Sequence, residues 1–335
     1  MPTRVAIDAM GGDHAPSVVI EGTVRVVREH PDTIAPILVG PESVIAPLLE
    51  QHDPEGALGI RVHHAPDVIG MDESPATAIK TKTGSSIHVG LGLCKAGAAQ
   101  AFVSAGNTGA VMGASLFLLG RIKGISRPSV IGYYPTLKGT CILLDVGANV
   151  DCKPEHLVQF AWMGRIYAQR VLDVADPQVA LMNIGEEPGK GNETAKLAHE
   201  ALTAATGLGF VGNIEGRDLL RHAADVVVCD GFVGNILLKF GESVASVLPR
   251  MIGAEMVRLG MPPEEQAIVA KALKGVKDRF DYEEYGGMPL LGVDGNVIIG
   301  HGGSSAHAVK NMILSADALV RNRVTESIAK AVDVA

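Results

Sequence analysis

Asn107 and Thr108 stand between two glycines in Ser104-Ala-Gly-Asn-Thr-Gly-Ala-Val-Met-Gly113, after the apolar run Ala101-Phe-Val103 and before the apolar segment Ala114 to Leu119. The order is strand, glycine turn, helix. At such a junction the first helical N–H groups have no intrahelical partner, and the helix dipole adds positive potential there, so the turn can hold an anion. Gly106 and Gly109 leave room for a ligand against the backbone, while Asn107 and Thr108 offer side-chain hydrogen bonds or an N-cap. A capped helix start with nothing bound has the same signature, and the strict phosphate-loop motif is absent.

Lys190 is the second candidate. It lies between Gly189 and Gly191 in the loop Asn183-Ile-Gly-Glu-Glu-Pro-Gly-Lys-Gly-Asn-Glu193, the most charged loop of the chain, and is placed to move and to meet an anion. Asp13 and His14 sit in the turn Asp8-Ala-Met-Gly-Gly-Asp-His-Ala-Pro16, where they could do chemistry or bond the nearby backbone. Lys80 and Lys82 could face an anion site or lie solvated on a helix. Asp145, Asn149 and Asp151 crowd the end of Cys141-Ile-Leu-Leu144.

The elements that position these residues share one pattern. Apolar runs end in glycine and polar residues at Val146-Gly-Ala-Asn149, Asn183-Ile-Gly185, Gly212-Asn-Ile-Glu-Gly216, Asp230-Gly231 continuing to Asn235, and Gly300-His-Gly-Gly303. In a mostly parallel sheet such ends gather on one side, where open α/β folds bind ligands, and a single polar crevice is the expectation. The βαβ rhythm is set early, by strands at Arg4–Asp8 and Ala35–Gly40 and helices at Ser17–Glu29 and Pro41–Glu50. A long helical stretch is expected from Ser74-Pro75 through Lys82, and another over Pro154 to Leu172 with Trp162 in packing. Ser129–Tyr134 and Thr140–Leu144 are joined by a turn too short for anything but an antiparallel hairpin.

Composition bounds the alternatives. With 335 residues, 40 of them Gly, and only 4% aromatic, the chain can bury a large core of small and aliphatic side chains. A net charge of -8 without any basic run argues against nucleic acid as a partner. Cys94, Cys141, Cys152 and Cys229 lack metal-ligand spacing, so no metal is expected. No signal peptide or run long enough to span a bilayer is evident, so the expectation is a cytosolic protein with reduced thiols.

Gly241 to Phe280 departs from the rhythm and is expected to be two consecutive helices. Val244, Val247, Leu248, Met251 and Ile252 make one apolar stripe, and Ile268, Ala272, Leu273 and Val276 a second beside Lys271, Lys274 and Lys277. Gly260 and Pro262-Pro263 separate them. A homodimer contact is the expected use. An exposed tip at Leu259–Pro263 would suit an anionic membrane surface.

Seven motifs in order, Asp8-Ala-Met-Gly-Gly-Asp13, Ser104 to Ala110, Gly147-Ala-Asn-Val-Asp-Cys-Lys153, Asn183-Ile-Gly-Glu-Glu187, Val211 to Gly216, Asp230-Gly-Phe-Val-Gly-Asn235 and Tyr285-Gly-Gly-Met-Pro-Leu-Leu-Gly292, followed by His301-Gly302, span essentially the whole chain. In them the sequence resembles the bacterial phosphate acyltransferases, which convert acyl-carrier-protein thioesters and inorganic phosphate into acyl phosphates for phospholipid synthesis. Met288 stands where that family suggests a smaller residue, and Cys229 where it suggests threonine. The resemblance implies a two-lobed α/β unit over 1–335, a mostly parallel sheet in three α/β/α layers. That fold is similar to isocitrate and isopropylmalate dehydrogenases and phosphotransacetylase, with 241–280 as a protruding helical hairpin. It implies no cofactor, an acyl-carrier-protein donor, inorganic phosphate as acceptor and a cytoplasmic homodimer.

Phosphate oxygen is already anionic at neutral pH, so its attack on a thioester needs positioning and oxyanion stabilisation more than a strong base. On that footing Ser104, Gly106, Asn107, Thr108 and Gly109 bind phosphate, with Asp13 beside them. Lys190 neutralises the growing charge and His301 gives a proton to the thiolate. Asp145, Asn149, Asn213, Asp230, Asn235 and Lys239 line the cleft. A cysteine acyl-enzyme is the competing mechanism, disfavoured at Cys229 because Asp230 beside it raises a thiol pKa. Two other classes stay in view. A nucleotide-dependent oxidoreductase would need a dinucleotide fingerprint that Gly11-Gly12-Asp13 does not supply, and a non-catalytic binding module would not need the acid and lysine loop.

Overall fold

A computed structural model describes residues 1–332. The described chain forms two compact units, one made of 1–131, 166–175 and 285–332, the other of 132–165 and 176–284.

In the first unit the chain builds β1 (Thr3–Asp8), β2 (Ile34–Gly40), β3 (Arg61–His64), β4 (Ala101–Ser104) and β5 (Ser129–Val130). It passes to the second unit for β6 (Gly132–Thr136), β7 (Gly139–Leu144), β8 (Val179–Met182), β9 (Phe210–Ile214) and β10 (Val226–Val228), then returns for β11 (Met288–Leu291) and β12 (Asn296–Ile299). The first sheet has the order β3-β2-β1-β4-β12-β11-β5 and the second β6-β7-β10-β8-β9. Each is mostly parallel. Among the named strands, the antiparallel pairs are β11 with β12, β11 with β5 and the expected hairpin β6-β7. The polar strand ends therefore fall on two sheets rather than one.

Both sheets are apolar on each side, as strands covered by helices must be. Ile7, Leu38 and Phe102 are fully buried in the first unit, and Ile142, Leu143 and Phe160 in the second. Helices Ser17–Glu29 and Ala306–Arg321 pack together beside the first sheet.

Three expectations need correction. The run Ser129–Tyr134 is two strands on different sheets, β5 pairing with β11 and β6 with β7. The stretch from Ser74 folds as expected, a helix Pro75–Thr81 between Ser74 and Lys82, and a separate helix, Ser86–Lys95, follows it, capped by Ser85, which accepts from the His88 N–H. The first hairpin helix starts at Gly231, not Gly241, because Asp230 caps it, and runs to Arg258 with Pro249 inside it. At 28 residues this helix is long and apolar enough, by length and composition alone, to cross a membrane, against the expectation of no such run. The second hairpin helix is Pro263–Asp278 and buries none of its residues.

Candidate active site

In the first unit the ends of β1, β4 and β12 converge on the buried carboxylate of Asp8. It accepts from the Ser104 hydroxyl at 2.7 Å and the Met10 N–H at 3.1 Å, and the Ser104 Oγ in turn accepts from the Gly106 N–H at 3.0 Å. Burial pushes the Asp8 carboxyl above its usual range, and hydrogen bonds from Ser86, Ser104 and the Met10 and Gly11 N–H groups oppose that rise. Gly11 is obligatory here, because a Cβ on it would lie 2.5 Å from the Asp8 carboxylate and 2.6 Å from the Gly106 nitrogen. Asp13 donates its N–H to the Gly302 carbonyl at 2.7 Å, and Gly300 donates to the Ser104 carbonyl at 2.8 Å. His301 Nδ1 accepts from the Gly303 N–H at 3.2 Å. Asp13, Ser104, Gly106, Asn107, Thr108, Gly109 and His301 thus belong to one cluster.

Asn107 takes the N-cap role its sequence context offers and spends the rest of its side chain on the protein itself. Its Oδ1 caps helix Thr108–Leu118 by accepting from the Ala110 N–H at 3.0 Å. Its Nδ2 is directed at the carbonyls of Gly70, Met71 and Glu73, at 3.3, 3.0 and 3.0 Å. The amide is fully engaged by the protein, so Asn107 positions the turn. The groups left open are the backbone N–H groups of Thr108 and Gly109, both residues exposed and neither nitrogen with an acceptor among the described residues. They are the part of the turn left open to a ligand. Lys82 does not join it: its ammonium bonds the Val68 carbonyl and the Glu73 carboxylate, bracing the segment that Asn107 holds. Lys80 is exposed on its helix.

The second unit carries the remaining candidates. Asp145 is fully buried at the end of β7 and accepts from both the backbone N–H and the side-chain amide of Asn149, at 2.5 and 3.1 Å. The Asn149 carbonyl accepts from the Gly231 N–H at 2.7 Å, and Asp230 caps helix Gly231–Arg258 through the Val233 N–H at 2.8 Å. Gly234 must be glycine, because a Cβ there would fall 1.9 Å from the Asp145 carbonyl oxygen. Asn235, one turn into the helix, lies beside Gly147 and is exposed. The loop 183–193 is braced rather than loose. Asn213 donates to the Glu187 carbonyl at 2.9 Å, and its Oδ1 lies 3.0 Å from His199 Nδ1. Asn183 donates to the Lys190 carbonyl at 3.1 Å, and Asn192 caps helix Glu193–Ala204. Lys190 itself is exposed, with no carboxylate on its ammonium among the described residues. Lys239 is differently disposed: it pairs with Glu242 at 2.9 Å on an exposed stretch of helix, and Asn213 spends its amide on the loop.

Between β8, β10 and the same helix lies a cavity of about 520 Å³, lined by Val150, Cys152, Leu157, Leu181, Met182, Ile184, Ala195, Cys229, Val233 and Leu237, with Asp151, Asn183, Asn192, Thr194 and Asp230 among its polar lining. Burial first, then the charges of Asp230 and Asp145, push the Cys229 thiol well above its usual range. Burial likewise pushes Cys141 far up. Neither is a ready nucleophile, and among the described residues no group of acids, histidines or cysteines could hold a metal.

Residues 3–327 match the family model described as "Fatty acid synthesis protein". A phosphate acyltransferase of Salinibacter ruber is 52% identical over 333 residues, covering 99% of this chain and 97% of that protein. The phosphate acyltransferase of Chlorobaculum tepidum is 50% identical, covering 96% and 99%. The chain belongs to the phosphate acyltransferases. A solved phosphotransacetylase from Streptococcus pyogenes shares the fold at a TM-score of 0.61 and 19% identity, covering 94% of this chain and 93% of its own. A branched-chain phosphotransacylase from Enterococcus faecalis does so at 0.56 and 15%, covering 94% and 99%.

In this phosphate acyltransferase, two residues that organise the clusters escaped the sequence reading. Asp8 was visible only as a strand-end acid beside two glycines. Glu73 acts on a partner nine residues away.

Proposed function

We propose that the enzyme moves a fatty acyl group from an acyl-carrier-protein thioester to inorganic phosphate, releasing an acyl phosphate for phospholipid synthesis. The observation that carries the reading is the pair of open N–H groups at Thr108 and Gly109, on a helix start, in a phosphate acyltransferase. They hold one face of phosphate while an anionic oxygen attacks the thioester carbonyl directly. Lys190 offsets the charge that grows on the tetrahedral oxygen, and the thiol, with a pKa near ~8.5, leaves with a proton from His301. Asp145, Asn149 and Asp230 hold the glycine backbone at the start of helix Gly231–Arg258, with Asn235 beside it. The test is to mix the protein with acyl-carrier-protein thioester and phosphate and trap the product with hydroxylamine. Acyl hydroxamate that depends on phosphate is expected, and its absence refutes the reading.

The hairpin serves assembly and location. Val244, Val247, Leu248 and Met251 on the first helix and Ile268 and Val276 on the second are exposed, a patch of the kind that a partner surface covers. The proposal is that the helices join two copies in a cytoplasmic homodimer, while the tip around Leu259, itself 62% exposed, contacts an anionic membrane surface.

A further inference from the structure

The cavity in the second unit is unused by the chemistry above. Its floor is aliphatic and buried, formed by Leu157 and Leu181 with the Cys229 sulfur, and Val233 closes one wall. Its rim is unusual for loop residues: Val150 and Ile184 are 60% and 81% exposed although both are large and apolar. An apolar rim leading to an apolar floor has no partner in the chain itself, and a volume of about 520 Å³ lies in the range of small-molecule sites. Two polar members of the lining, Asp230 and Asn183, follow the ends of β10 and β8 beside residues already assigned to the reaction.

We infer that this cavity binds the hydrocarbon chain of the acyl donor, with Val150 and Ile184 at its entrance and Val233 and Leu157 setting the chain length it accepts. The inference rests on the acyl-transfer reading and extends it to specificity. A flexible polar arm such as the carrier's prosthetic group would need hydrogen-bond partners along its length, and the floor offers none, whereas a methylene chain needs only desolvated contact. It also gives Cys229 a use. A thiol held neutral behaves as a small apolar group, suited to the floor of a lipid cavity where a charged nucleophile would not be.

Each methylene that moves from water into such a cavity is worth roughly fourfold in binding. Val233→Phe fills the space of about three methylenes, so kcat/KM with palmitoyl-carrier protein is expected to fall roughly fifty-fold, while kcat/KM with butyryl-carrier protein stays within about twofold. Ile184→Glu, at an exposed rim position where folding is not at stake, is expected to penalise palmitoyl over butyryl in the same sense. Both are read by hydroxamate trapping with the two donors. A palmitoyl-to-butyryl ratio unchanged from the unaltered enzyme in both variants would overturn the chain assignment while leaving acyl transfer standing. No hydroxamate from the unaltered enzyme with either donor would instead overturn acyl transfer, and this inference with it.

Discussion

Asn107→Ala separates a positioning residue from a direct ligand. The change removes an N-cap, worth typically about 1 kcal/mol, and an amide whose two hydrogens are shared among three carbonyls, worth about 1–3 kcal/mol together. The sum, about 2–4 kcal/mol, corresponds to a melting temperature lower by roughly 5–15 °C for a unit of this size. The Thr108 and Gly109 N–H groups remain in the chain but lose the clasp that aims them. A displacement near 1 Å costs on the order of a hundredfold in a positioned reaction. Turnover is therefore expected to fall about a hundredfold at saturating donor, assayed by hydroxamate formation at least ten degrees below the variant's own transition. Asn107→Asp supplies the contrast, because it keeps the cap to Ala110 but can no longer donate to the three carbonyls and adds charge beside the proposed anion site. It is expected to melt above the alanine variant while remaining at least as inactive. An alanine variant with unaltered phosphate saturation and turnover would refute both the clasp and the proposed anion site.

Lys190→Ala is expected to lower turnover about a hundredfold with no shift in melting temperature, since the ammonium has no acid partner to lose; a fall in stability instead would mark it as structural. Cys229→Ser is expected to keep most of the activity, and mass spectrometry of enzyme quenched with acyl donor but without phosphate should show no acylated residue. Because burial and two nearby carboxylates disfavour its thiolate, Cys229 in the folded enzyme should resist alkylation at pH 8, its reactivity rising only toward strongly alkaline pH. Half-titration near neutrality would contradict that environment. Leu259→Glu with Met261→Glu should leave hydroxamate formation intact and reduce sedimentation with anionic vesicles at low salt, and equal sedimentation of both proteins would remove the membrane role.

Local chemistry was legible in the sequence wherever a residue acts on its neighbours. Asn107 as a cap and the β6-β7 hairpin both depend on contacts a few residues away. What escaped depends on distant partners. Asn107 reaches back 34 to 37 residues to clasp Gly70 through Glu73, and Ser104 finds Asp8 at a separation of 96. Lys82 carries the same charge as Lys190, yet Glu73, nine residues back, neutralises it, whereas the pairing of Lys239 with Glu242 lies at a helical spacing that the sequence displays. The division into two sheets was hidden because Ile131 and Gly132 continue one apolar run while their neighbours pair in different places.

The order of the first sheet bears on how the chain is made. β4 pairs with β1 on one side, but its other neighbour, β12, lies almost the full length of the second unit further along. At ribosomal rates of about 5–20 residues per second, the roughly 200 residues between them take on the order of 10–40 s to emerge. For that interval the middle strand of the sheet, Ala101-Phe-Val-Ser104, is an unsatisfied apolar edge of the kind that pairs with other chains. The second unit, whose five strands come from a single stretch between 132 and 228, can finish first. Nascent chains stalled after residue 284 should therefore be the form of this enzyme most dependent on chaperones.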